Sequence, residues 1–128
     1  MTEKLTPNME DYLEAIYIIR NKTGTVRVKD IARMLEVTMP SVSYAIKNLE
    51  KQGLVCHSRY DLVDLTAKGT TDAKELYKRH LTIKDFLLHV LGLDAEIAEK
   101  DACGMEHCIS PETLERLTQF LESTGASK

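Results

Sequence analysis

Apolar residues recur first at helical spacing along this 128-residue chain. Tyr12, Leu13, Ile16, Tyr17 and Ile19 form a stripe that Thr6-Pro7 opens, as an N-cap followed by proline, and that Asn21-Lys22-Thr23-Gly24 ends. Val26 and Val28 flank Arg27 in a short extended piece, and Lys29 to Glu36 carries Ile31, Ala32 and Leu35 as a brief second helix. Val37-Thr38-Met39-Pro40 is a break. A third helix then starts at Thr38 or Met39, with Val42, Ala45, Ile46 and Leu49 as its stripe and Gly53 at its end. The period changes next: residues 54–58 and 62–65 read as two strands joined around Arg59-Tyr60-Asp61. Helix returns from Thr66, an N-cap, to about Leu91, with Gly92 closing it. Asp94 caps a further helix, and Ser110-Pro111-Glu112 opens a last one through Leu114, Leu117, Phe120 and Leu121. Residues 123–128 are expected to form a mobile tail.

Short helix, tight turn, amphipathic helix and two-stranded hairpin is the winged helix-turn-helix order. The fold expected is therefore mostly α: an N-terminal winged helix-turn-helix domain with a small β-hairpin wing over residues 1–70, then a helical domain over 71–128. In such a reader the second helix of the motif enters the major groove. Thr38, Pro40, Ser41, Ser43, Tyr44 and Lys47 are its candidate DNA contacts, Arg27 is a further one, and Arg59 at the wing tip and Lys51 are phosphate candidates. No strong base-reading Arg or Gln stands among the helix residues, so part of the specificity is expected from DNA shape.

Composition narrows the class. With 43% hydrophobic and 29% charged residues, no Trp and no apolar run of bilayer length, the chain reads as a globular protein able to bury a core without staples. Met1-Thr2-Glu3-Lys4 has none of the apolar character of a signal peptide, and three cysteines, an odd number, suit a reducing compartment, so the cytoplasm is expected. The net charge of −3 is uneven: basic residues prevail from Val26 to Lys68, and acids prevail beyond Leu81. A modestly basic segment in an acidic chain suits regulated rather than indiscriminate DNA binding.

The acidic part holds the candidate chemistry. Cys103, Glu106 and His107 are spaced i, i+3, i+4, which on a helix puts thiolate, carboxylate and imidazole on one face. Asp11 and Glu14 form a second pair at i, i+3, and His80 stands on the long helix. Each has an ordinary reading: acids in a first helical turn stabilise the dipole by roughly 0.3–1 kcal/mol, and a cysteine can be a small core residue. Together they form a mixed O, N and S donor set suited to divalent transition metals and unlike the Cys-rich pattern of structural zinc.

Met9-Glu10-Asp11-Tyr12-Leu13-Glu14, Val28-Lys29-Asp30-Ile31-Ala32, Ser41-Val42-Ser43, Leu65-Thr66-Ala67-Lys68-Gly69, Arg79-His80 and Cys103-Gly104-Met105-Glu106-His107-Cys108-Ile109-Ser110 carry a resemblance. Across nearly the whole chain the sequence resembles the metal-dependent repressors of the diphtheria-toxin-repressor type, including their manganese-transport-regulator branch. The resemblance implies Asp11, Glu14, His80, Glu106 and His107 as ligands, which in the manganese branch hold a pair of ions. Cys103 departs from that branch, which has Glu there, and matches the iron-responsive branch, whereas Asp11 replaces the Met of the iron branch. An ancillary site of the iron branch uses the equivalents of His80, Glu99 and a Glu at position 84; Lys84 stands there in this chain. The SH3-like extension of longer members is not expected. Dimerisation is expected to rest on the helices after Leu81, where Phe86, Leu87, Leu117, Phe120 and Leu121 are core or interface candidates, core being favoured.

The expected function is a metal-dependent repressor sensing Mn²⁺ and/or Fe²⁺, with Co²⁺, Ni²⁺ or Zn²⁺ able to substitute in vitro and up to two ions per subunit. Its partners would be a palindromic double-stranded operator, controlling metal-uptake genes, and a second copy in a homodimer, with neither membrane nor small-molecule substrate. Two other readings stay open. One is a thiol-based redox regulator using Cys103 and Cys108. The other is a small metallohydrolase, against which stand the lack of an evident substrate pocket and of a Gly-rich phosphate loop.

Overall fold

Thr6 starts the first helix, α1 (Pro7–Thr23): its hydroxyl accepts the Met9 amide at 3.2 Å, and Pro7 occupies a position where no amide is needed. Gly24, with φ at +84°, ends it in the left-handed region. The structure, a computed structural model, describes residues 5–58 and 62–125. After α1 come β1 (Val26–Arg27), α2 (Val28–Leu35), α3 (Met39–Lys51), β2 (Val55–His57), β3 (Leu62–Leu65), α4 (Ala67–Asp85), a π-helical turn (Phe86–Val90), α5 (Ala95–Met105) and α6 (Pro111–Thr124). Two compact units divide the chain, one running to Lys74 and the other starting at Glu75.

In the first unit α1 packs against α2, α3 and β3, and α3 also packs on β2. Leu13, Ile16, Ile31, Val42, Ala45, Ile46 and Leu49 are fully buried among them. Helix, turn and helix are followed by strands, as the spacing predicts. The extended piece at Val26 does more than link α1 to α2: it pairs antiparallel with β3, Val26 opposite Val63 and Arg27 opposite Leu62, so the sheet has three strands in the order β1-β3-β2. Thr66 caps α4 by accepting the Gly69 amide at 3.0 Å. Gly69 is required there: a Cβ at this position would stand 1.9 Å from the Leu54 carbonyl oxygen.

The second unit is built on Ile83, Leu87, Ala98 and Ala102, with Phe86, Leu88, Leu93, Ile109 and Leu117 packed against them. Ala98 and Ala102, one turn apart and fully buried, let α5 approach closely. The long helix expected to run to Leu91 changes register at Phe86, where the Leu91 amide donates to the Phe86 carbonyl, an i to i+5 bond of 3.2 Å. The wider turn directs Phe86, Leu87 and Leu88, three consecutive residues, toward the cluster. Of the five core or interface candidates, Leu87 and Leu121 are buried, Phe86 and Leu117 are half-buried, and Phe120 is 45% exposed with its ring edge-on to Phe86. Ser123 and Thr124, expected in a tail, complete α6; residues 126–128 lie outside the described part.

Candidate metal centre and DNA-reading helix

His80, on α4, lies between two carboxylates. Its Nδ1 is 2.7 Å from Oε1 of Glu106, and its Nε2 is 3.1 Å from Oε1 of Glu99. Cys103 Sγ lies 3.9 Å from the same Nδ1 and 3.6 Å from Oε2 of Glu99. Lys84, one turn beyond His80, places its ammonium 3.0 Å from Oε1 of Glu99. Asp94 starts the helix that carries Glu99 and Cys103, accepting the Glu96 amide. The same helix ends as Arg79 donates to the Glu106 carbonyl at 3.0 Å.

Glu106 is fully buried and His80 is 5% exposed. A buried carboxylate needs compensation, and Oε1 receives it from His80 while Oε2 has no hydrogen-bond partner among the described residues. Burial by itself would lower the imidazole pKa; hydrogen bonding with Cys103, Glu106 and Glu99, and the Glu106 charge, outweigh it and raise His80 from 6.5 to about 11. Partial burial would raise Glu99, but Lys84 and His80 outweigh it and hold that carboxyl below its ordinary value.

Donor atoms of His80, Cys103 and Glu106 all lie within 4.8 Å of one another. Ligands sit roughly 2.0–2.3 Å from a transition metal, so donors sharing an ion stand at most about 4.6 Å apart, and small side-chain adjustments suffice here. The imidazole, thiol and carboxylate, with the unpartnered Glu106 Oε2, fit a divalent cation of borderline softness.

The other predicted ligands are placed differently. Cys103 is in the last turn of α5, Glu106 is its C-cap and His107 lies one residue beyond, in a turn; the single helical face expected for these three ends at Met105. His107 is half-buried and is not among the three converging donors. Glu99, expected as an ancillary ligand, is a hydrogen-bond partner of His80 and Lys84. In the first unit, Asp11 and Glu14 stand on α1, Asp11 half-buried and Glu14 buried at 7% exposure. Cys108 and Cys56 are exposed free thiols.

On α3, Thr38 is the N-cap, accepting the Ser41 amide at 3.3 Å, with its hydroxyl 2.8 Å from that of Ser41. Thr38, Pro40, Ser41, Tyr44 and Lys47 are exposed, Tyr44 at 70%, while Val42, Ala45, Ile46 and Leu49 turn inward. Ser43, expected to face outward, is half-buried beside that inward stripe. Arg27 is exposed, and its amide donates to Asp30 at 3.0 Å. It lines a cleft with Lys22, Lys29 and Arg33, a basic group that no motif announces and that only the folding of α1 onto α2 assembles. Arg59 lies outside the described residues.

Residues 4–63 match the iron dependent repressor N-terminal DNA binding domain, and residues 66–125 match the iron dependent repressor metal binding and dimerisation domain. The HTH-type transcriptional regulator MntR of Bacillus subtilis is 36% identical over 126 residues, covering 96% of this chain and 88% of the relative. An uncharacterized HTH-type transcriptional regulator of Methanocaldococcus jannaschii is 38% identical over 119 residues, covering 92% of this chain and 95% of that protein. Among solved structures, the manganese regulator SloR superposes with a TM-score of 0.80 at 36% identity over 92% of this chain; the chain spans 55% of its length. The matches cover both units and nearly every described residue: the chain belongs to the iron-dependent repressor family of metal-dependent transcriptional regulators.

Proposed function

We propose that this chain is a metal-dependent DNA-binding repressor that senses Mn²⁺ and/or Fe²⁺ and controls metal-uptake genes. Residues 1–70 would read a palindromic operator; residues 71–128 would bind metal and join two copies. The observation that carries the reading is the buried Glu106–His80 pair with Cys103 beside it: a carboxylate, an imidazole and a thiol that converge on one point, with one carboxylate oxygen unpartnered. His80, Cys103 and Glu106 would hold the ion, which supplies two positive charges where a proton now compensates Glu106. Asp11, Glu14 and His107 join them as ligands on the strength of the family resemblance and, for Glu14, of a buried acid on α1.

On this reading the ion would be a determinant of how the reading helices of a dimer are spaced. Half-sites one helical turn apart require recognition elements roughly 34–36 Å apart, so a device that sets this distance sets affinity. Leu81, Leu91, Ile97, Met105 and Phe120, all at least 40% exposed in the second unit, supply apolar surface for a partner copy. No helix among the described residues is long and apolar enough to cross a membrane; a DNA-binding repressor of this kind would act in the cytoplasm. We read the centre as a sensor rather than a catalyst.

Titration with Co²⁺ tests the centre. Thiolate-to-cobalt charge-transfer absorption should appear, saturate, and disappear in Cys103→Ser. Binding without that absorption in the unsubstituted protein would remove Cys103 from the ligand set.

A further inference from the structure

We propose that Lys84 is a built-in cation on the outer side of the His80 ring, where it holds Glu99 as acceptor of the Nε2 proton, leaves Nδ1 as the ring's ligand atom, and keeps a divalent ion off the Glu99 side. The inference rests on the reading of this cluster as a metal centre and concerns which side of His80 serves it.

The ring has two unlike sides. Toward Nδ1 are Glu106 at 2.7 Å, fully buried, and Cys103 at 3.9 Å, an exposed thiol that also reaches Oε2 of Glu99 at 3.6 Å. Toward Nε2 is Glu99 at 3.1 Å, half exposed, and the same Glu99 oxygen receives the Lys84 ammonium at 3.0 Å. His80 and Lys84 are i and i+4 on α4, so both reach the same point on α5. An imidazole nitrogen and a carboxylate converging at a half-exposed edge would otherwise be two donors for a cation of their own. Lys84 fills that role with a covalently attached charge. A divalent ion about 4 Å from an ammonium is opposed roughly thirtyfold even at the dielectric constant of water, and more at a partly buried edge.

The same arrangement selects the ligand atom. Metal-binding histidines donate their second ring N–H to a carboxylate or carbonyl, which fixes tautomer and ring orientation. Lys84 holds the Glu99 carboxylate in place opposite Nε2, so that nitrogen is the ring's hydrogen-bond donor and the lone pair falls on Nδ1, beside Glu106 and Cys103. Lys84 and Glu99 are positioning residues.

The test uses the full chain and its Lys84→Glu and Glu99→Gln variants. Ions per subunit are counted by elemental analysis after equilibrium dialysis against Mn²⁺, and the His80 ring nitrogens are assigned by ¹⁵N NMR of the Zn²⁺-loaded protein. The expected result is that Lys84→Glu binds one more ion per subunit than the unsubstituted chain, Glu99→Gln binds the same number, and the Zn²⁺-loaded unsubstituted protein carries metal on Nδ1 and a proton on Nε2. An unchanged count in Lys84→Glu, the loss of an ion in Glu99→Gln, or metal on Nε2 would overturn the assignment of Lys84 while leaving the metal centre standing. An unsubstituted chain that binds no ion would overturn the metal-centre reading itself. The NMR arm needs no substitution, so it decides the ligand atom even if Lys84→Glu fails to fold.

Discussion

Oε1 of Glu106 stands 2.7 Å from Nδ1 of His80, with the Glu106 side chain fully buried and that of His80 6% exposed. With chelator present this contact compensates the buried carboxylate. Removing one partner of a buried pair commonly costs roughly 3–5 kcal/mol, because the other is left uncompensated. His80→Ala should therefore lose stability on that scale in urea unfolding with chelator present. Glu106→Gln should lose less, since its neutral amide keeps a hydrogen bond to the ring.

The pair also predicts a pH dependence. His80 is raised in the folded state to about 11 from 6.5, so the folded protein holds the proton more tightly than the unfolded one. Its contribution is complete below pH 6.5, declines above it and is gone once pH passes about 11. In chelator, the stability difference between the unsubstituted chain and His80→Gln should shrink steadily from pH 7 to pH 10. A difference that stays constant across that window would contradict the linkage.

Metal loading should release protons. A protonated His80 with Lys84 balances Glu99 and Glu106, and a divalent ion with a thiolate and a neutral imidazole preserves that balance. At neutral pH this amounts to about two protons per ion bound at this centre, one from the ring and one from the Cys103 thiol. Calorimetry in buffers of different ionisation enthalpy would give the number, and Cys103→Ser should lower it to about one.

Metal choice should turn on Cys103. A thiolate favours Co²⁺, Ni²⁺, Zn²⁺ and Fe²⁺, whereas carboxylates suit Mn²⁺. Cys103→Glu should raise the rank of Mn²⁺ among ions that restore DNA binding, read by fluorescence anisotropy across a metal panel. An unchanged ranking would make the thiol a bystander.

Gly69 gives a prediction about the fold alone. A methyl group there meets the Leu54 carbonyl, so Gly69→Ala forces backbone apart and should cost about 1–3 kcal/mol of unfolding free energy.

The helices of this protein were legible because their ends carry explicit signals. Thr6-Pro7, Thr38, Asp94 and Ser110-Pro111 each cap the helix expected of them. The pairing of Val26 with Val63 was not, since two extended residues have no period, and only the fold brings them beside β3. Nor was the π-helical turn at Phe86, because an i to i+5 bond leaves no mark on hydrophobic spacing. In the centre, His80, Cys103 and Glu106 were named from residue type and resemblance, and they converge. The role of Glu99 depends on which oxygen meets which nitrogen, and that is set by how α5 lies against α4 rather than by sequence spacing.

The central claim is that metal governs DNA affinity, and one titration tests it most directly. A labelled duplex carrying the DNA upstream of the protein's own gene is titrated at fixed salt, once with saturating Mn²⁺ or Fe²⁺ and once with chelator. Allosteric coupling of the usual size predicts at least about tenfold tighter binding with metal, reversal by chelator, and the same factor when metal affinity is measured with and without the duplex. Equal affinity for the duplex with metal and with chelator would contradict the account.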